Sequence, residues 1–179
     1  AAPGLRLEYA RQRVGALTLK LLAQLAAERG FEEWRAALFA GQPVNTTENR
    51  PAWHTALRAG PDAPAEVKAA LQKMQDLYSR ASRRFTRIVN LGTGGSDLGP
   101  RLLADALTDG KDAGAPDVRF AANIDPFDLQ RALAGADPER TLFVVVSKTF
   151  TTQETMSNAA AARRWGGKHF YAVTANTEA

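Results

Sequence analysis

Ile88-Val-Asn-Leu-Gly-Thr-Gly-Gly-Ser-Asp-Leu-Gly-Pro100 and Leu142-Phe-Val-Val-Val-Ser-Lys-Thr-Phe-Thr-Thr-Gln-Glu-Thr155 are built on one plan. Each opens on a short apolar run, passes through glycine or hydroxyl residues, and enters a segment with helical spacing. The runs Ile88–Leu91 and Leu142–Val146 are strand-sized, and they predict buried strands. A loop between the carboxyl end of a strand and the start of a helix gathers backbone N–H groups and the positive end of the helix dipole at one point. That geometry suits a dianion, phosphate above all. Two such loops in one domain, each with Ser or Thr hydroxyls, predict a phosphorylated small molecule lying across them.

Outward from these loops the pattern continues. Further strands are predicted at Val118–Ala122 and His169–Val173, with helical stretches near Pro100–Leu107, Pro126–Ala134 and Thr152–Trp165. Strands alternating with helices predict a parallel sheet covered on both faces, with ligands bound outside the carboxyl ends of the strands. Upstream, Val14, Leu17, Leu21, Leu22 and Leu25 recur at helical spacing before Gly30, and Phe31 to Ala40 reads as a second helix closed by Gly41. Asn45–Arg50 reads as a turn, Pro51–Arg58 as a further helix, and Val67, Leu71, Met74 and Tyr78 as part of a longer one. The expected organisation is a helical N-terminal extension over residues 1–82 and an α/β domain over 83–179.

Composition narrows the function. At 179 residues with 45% hydrophobic and 23% charged, the chain suits one globular α/β domain with added helices. No apolar run approaches the roughly 20 residues that span a bilayer. The lack of cysteine removes disulfides, thiolate nucleophiles and Cys-ligated zinc, and a cytoplasmic setting is expected. The net charge of +4 is concentrated at Arg80, Arg83, Arg84 and Arg87, read as a solvated helix end, so neither a nucleic acid nor a membrane is expected as partner. His54 and His169 have no neighbouring carboxylate or second histidine at ligand spacing, and both read as structural rather than metal-binding.

Nucleotide templates fail on their most specific residues. A dinucleotide fingerprint fits Gly92 and Gly94 but meets Asp97 at its sixth position, and Asn123 stands where a ribose-binding acid belongs. Gly94 to Gly99 has the spacing of a Walker loop, but Pro100-Arg101 replaces the required Lys and Ser or Thr. The second loop is richer. Ser147, Thr149, Thr151 and Thr152 offer hydroxyls and Lys148 a charge. The competing reading makes Ser147 and Thr152 simple helix caps.

These residues carry a family resemblance. Val44-Asn-Thr-Thr-Glu-Asn-Arg50 with His54-Thr-Ala-Leu-Arg58, Leu91 to Leu107, Asn123-Ile-Asp125 and Phe143 to Asn158 resemble the glucose-6-phosphate isomerase family, over nearly all of the chain from Leu7. The resemblance implies a sugar-isomerase fold, a flavodoxin-like three-layer α/β sandwich around a parallel sheet. It implies an aldose–ketose isomerase working through an enediol, without a cofactor, on a hexose 6-phosphate, and a homodimer when the polypeptide is intact. Carried over by motif, Ser147, Lys148, Thr149 and Thr152 would hold the phosphate, and Gly95 and Ser96 would border the sugar. The family's glutamate base, its Gly-Gly-Arg arginine, its histidine and its lysine have no counterpart up to Ala179. The chain therefore resembles the N-terminal part of a longer enzyme, with an α/β domain incomplete at its C-terminal end and the rest of the polypeptide as its partner.

Departures from the family pattern are Thr93, Pro126-Phe127, and shorter connections before Phe85 and before Lys168. The alternative from another class is a non-catalytic sugar-phosphate-sensing domain of the same fold. The chain as given is expected to show no measurable isomerase activity, because loss of a positioned base alone removes about 10²–10⁴-fold. A coupled assay for fructose 6-phosphate decides this, and turnover near that of an intact family member would overturn it.

Overall fold

The computed structural model describes residues 4, 6, 8–107 and 114–176. The chain divides into two compact units, one up to Leu71 and one from Gln72 onward, and the break falls inside helix α3 (Ala65–Arg84). In the first unit, helices α1 (Ala16–Glu28) and α2 (Phe31–Phe39) stop before Gly30 and Gly41. The predicted helix at Pro51–Arg58 is not formed. Asn45 and Arg50 pair in an antiparallel bridge with N···O distances of 3.2 and 3.3 Å, and only the 3-10 turn Ala56–Arg58 follows. So short a segment cannot recover the cost of helix nucleation from its own hydrogen bonds.

The second unit is the α/β domain. Its strands are β1 (Arg87–Leu91), β2 (Asp117–Ala121), β3 (Thr141–Val146) and β4 (His169–Val173), all parallel in the order β2-β1-β3-β4. Between them run α4 (Gly95–Ala106), α5 (Pro126–Leu133) and α6 (Gln153–Trp165). The register sets Val89 against Phe143 and Leu91 against Val145. Successive strand residues face opposite sides, so these four point one way, into a core closed by Leu129, Leu133 and Ala162 of α5 and α6. Ile88, Leu142 and Val144 point the other way, where Ala81 and Phe85 at the end of α3 meet them. Helices thus cover both faces, the three-layer arrangement the alternating pattern predicts.

Two sequence readings change here. Arg87 does not belong to a solvated helix end. It opens β1, its side chain is 14% exposed and ion-paired to Asp117 at 3.2 Å, and its guanidinium donates to the Ala132 carbonyl at 2.7 Å. Helix α4 begins at Gly95, not near Pro100, which lies inside it. His169 behaves as a structural residue, its ring 5.0 Å from that of Phe85 and its nitrogens 3.3 and 3.5 Å from the Arg84 guanidinium.

The turn after β2 is held by one carboxylate. Asp128 accepts the N–H groups of Ala122 at 2.8 Å and Asn123 at 3.0 Å, with Arg131 at 3.1 Å on its other oxygen. Burial pushes this carboxyl up, but the two backbone donors and the Arg131 guanidinium together outweigh it and hold it below its ordinary value of 3.8. A folded-state value below the unfolded one means that the stabilisation is complete above the unfolded value and is lost as pH falls through the folded one. Urea midpoints should therefore drop as pH is lowered below about 4. In Asp128→Asn that acid-dependent loss should be smaller, on a lower baseline at neutral pH; identical pH profiles would show that Asp128 contributes nothing.

Candidate functional site

Strand order places the site. From β1 the chain crosses to β2 on one side, then returns past β1 to β3 on the other. The order reverses between β1 and β3, and in open α/β sheets ligands sit at that reversal, beyond the carboxyl ends of the strands. Leu91 pairs with Val145, so the loop beginning at Gly92 and the loop beginning at Ser147 leave neighbouring strands side by side.

In the second loop the hydroxyls organise themselves in pairs. Ser147 is 2% exposed, its N–H bonded to the Val173 carbonyl of β4 at 3.1 Å. Its Oγ accepts the N–H of Phe150 at 3.1 Å and lies 3.0 Å from Thr152 Oγ1. Phe150 takes φ +59°, a left-handed conformation that costs a non-glycine residue about 1–2 kcal/mol. The Ser147 oxygen and the packing of the Phe150 ring against the core hold it there. Thr149 and Thr151 form the second pair, Oγ1 to Oγ1 at 2.7 Å. Each pair carries two hydroxyl hydrogens and uses one between its oxygens, leaving one to donate outward. Because Ser147 is buried, the outward donor of the first pair falls to Thr152.

Thr152 is the N-cap of α6, yet its side chain makes no capping hydrogen bond. The simple capping reading therefore does not describe it. Thr151 turns toward Thr149: the loop curls, and the two hydroxyls meet. Lys148 is exposed, and its carbonyl accepts from the Ala175 N–H and the Thr174 hydroxyl, each at 3.1 Å, tying the loop to the chain after β4. Glu154 lies in the first turn of α6, where a carboxylate complements the dipole.

In the first loop, Gly95 and Ser96 form the opening turn of α4, after Gly94 at φ +60°. The close approach is at Gly92, where a Cβ would stand 2.5 Å from the Ser96 carbonyl oxygen. Asn90, a buried polar residue one place before the end of β1, donates from Nδ2 to that same oxygen at 3.0 Å.

Helix α6 is fastened to both neighbouring loops through residues that the sequence reading did not single out. The buried hydroxyl of Thr155 lies 3.4 Å from that of Thr93, and buried Asn158 donates to the Asn123 carbonyl at 2.8 Å. The available signal was polarity where apolar residues are the rule: Asn90 within a buried strand, Thr155 and Asn158 on the sheet-facing side of a helix. Among the described residues no group of three or more His, Asp or Glu side chains is placed to hold a metal ion, and no helix is long and apolar enough to cross a membrane.

A parallel sheet in this order, covered on both faces and with a hydroxyl-rich helix start at its point of reversal, defines a flavodoxin-like α/β domain. Within that class the chain belongs to the phosphoglucose isomerase family, whose sequence profile matches residues 8–178. Glucose-6-phosphate isomerase of Cupriavidus taiwanensis is 43% identical over 209 residues, covering 99% of this chain and 38% of its own length. That of Mycolicibacterium smegmatis is 44% identical over 199 residues, covering 96% and 36%. A solved glucose-6-phosphate isomerase from Chlamydia trachomatis superposes with a TM-score of 0.63 at 31% identity, over 90% of this chain and 35% of that one. The chain thus spans little more than a third of these relatives. The Cupriavidus alignment runs over 209 positions against 179 residues here, so that protein carries insertions this chain lacks.

Gly92→Ala tests the close approach. The new methyl would press on backbone rather than on a side chain that can swing away, and overpacking of that kind costs about 1–3 kcal/mol. Urea unfolding should register the loss, and amide shifts should change at Gly95 and Ser96. A variant as stable as the parent would show that the first turn of α4 is free to move.

Proposed function

We propose that this chain is the phosphate-binding portion of an isomerase interconverting glucose 6-phosphate and fructose 6-phosphate. The observation that carries the reading is the pairing of hydroxyls at the start of α6, on a strand adjacent to the one whose loop becomes the first turn of α4. On this reading the sugar phosphate lies across the ends of β1 and β3. Thr152, Thr149 and the N–H groups at the start of α6 take the phosphate, with Lys148 supplying charge. Ser147 holds the loop in shape beneath them, and Gly95 and Ser96 border the sugar. No cofactor is required, since isomerisation through an enediol moves only protons. The proton-transfer groups belong to the remainder of the polypeptide, which on this reading acts as a cytoplasmic homodimer.

The reading favours a phosphate over a carboxylate because it brings several hydroxyls to a helix start, where dipole and N–H groups act together. Anchoring the phosphate holds the far end of the substrate while chemistry occurs at the first and second carbons. Binding energy spent there helps to position the reacting atoms.

Titration calorimetry on the chain tests the assignment. Glucose 6-phosphate and inorganic phosphate should bind, and glucose should not. Thr152→Ala should weaken glucose 6-phosphate binding about ten- to hundredfold, the worth of a hydrogen bond to a charged group. Thr151→Ala should also weaken it, by less, because it releases the Thr149 hydroxyl from its partner. Equal affinity for glucose and glucose 6-phosphate, or no effect of Thr152→Ala, would sink the reading.

A further inference from the structure

Pro100 is the sixth residue of α4. Proline has no N–H, so the carbonyl four residues earlier, that of Ser96, loses its helical donor, and the ring crowds that oxygen outward. Interior prolines destabilise helices for these reasons. The residue before proline is normally driven from helical geometry by its own Cβ, but here it is Gly99. Two features then meet at the abandoned carbonyl. Asn90 Nδ2 donates to it at 3.0 Å, and Gly92 leaves it the room that a Cβ would take. Asn90 is 6% exposed and sits in a central strand between Phe120 and Val144. Burying an amide there is costly unless it is bonded.

We infer that Asn90 is a positioning residue: its amide replaces, from the strand, the hydrogen bond that Pro100 cannot give. By doing so it lets α4 start at Gly95 instead of after the proline. This places Gly95 and Ser96 on a helix N-terminus at the reversal point of the sheet. The inference deepens the sugar-phosphate reading and rests on it for its consequence, since it makes Asn90 a determinant of how the sugar, rather than the phosphate, is held. Asn90 touches no ligand on this view and acts through Ser96.

The coupling between residues 90 and 100 is the test. In the full chain, Asn90→Ala should weaken glucose 6-phosphate binding about three- to tenfold, the worth of one neutral hydrogen bond. Its effect on inorganic phosphate, held by the other loop, should be smaller. Amide exchange in the first turn of α4 should quicken. Pro100→Ala restores an N–H facing the Ser96 carbonyl, so Asn90→Ala/Pro100→Ala should recover both the slow exchange and the affinity. Should Asn90→Ala fail to fold, folding of the double variant supports the inference and its failure to fold overturns it. Equal losses for both ligands, or no rescue by Pro100→Ala, would also overturn it. If the parent chain binds neither ligand, the sugar-phosphate reading falls, and the exchange coupling alone still decides the role of Asn90.

Discussion

The parallel pairing of β1 with β3 is the constraint on which the rest depends. These two strands carry the three largest fully buried side chains among the described residues, Phe143, Leu91 and Val89, all at 0% exposure. Their partners on either face are fixed by alternation, since a slip of one residue would turn every core side chain to the opposite layer. The register that fills the core also fixes where each strand ends. Gly92 and Ser147 therefore emerge together, and two segments far apart in sequence become neighbouring loops. Site geometry here is a consequence of core packing. Nothing in either loop has to bring the other to it.

What holds the loops in place is polar bonding rather than apolar burial. Asn90, Ser147, Thr155 and Asn158 are all buried, and each bonds to a partner in another element or elsewhere in its loop. Buried amides and hydroxyls are expensive when unpaired and directional when paired. They suit a region that must keep a particular backbone conformation, such as Phe150 in the left-handed region, while leaving its surface open to a ligand. An apolar core there would be as stable and would specify the backbone less. Asp128 extends the same logic to the turn after β2, where one carboxylate accepts the two backbone N–H groups that follow the strand.

The strands, and the two loops that leave β1 and β3 side by side, were legible in the sequence because their signals are local. A run such as Leu142–Val146 bounded by Ser147 is short, apolar and followed by helical spacing, and no tertiary contact was needed to read it. The residues bordering the candidate site were legible for the same reason. Illegible features depend on contacts distant in the chain. The usual rule makes Pro100 a helix start, whereas α4 starts earlier, at Gly95, because Asn90 on a different element satisfies the carbonyl that the proline abandons. Arg87 looked like one more charge on a basic helix, yet it is a strand residue bonded to Ala132 and Asp117. The predicted helix at Pro51–Arg58 failed in the opposite way: its composition was acceptable, but the Asn45–Arg50 bridge and its shortness decided against it.

The hydroxyl pairs bear on why such a site would favour an anion that comes and goes. An arginine cluster would hold a phosphate through fixed charge and would repel itself when empty. Paired hydroxyls have no such empty-state penalty. Ser147 with Thr152, and Thr149 with Thr151, satisfy one another while keeping one hydrogen each to offer. The helix start supplies the field and the hydroxyls supply direction, so the unliganded loop needs no rearrangement to accept a dianion. On the proposed reading, a preorganised cradle built chiefly of hydroxyls would lower the ordering cost of binding without making release prohibitively slow. That balance would suit the sugar-phosphate site proposed above, through which a substrate and its isomer would both pass.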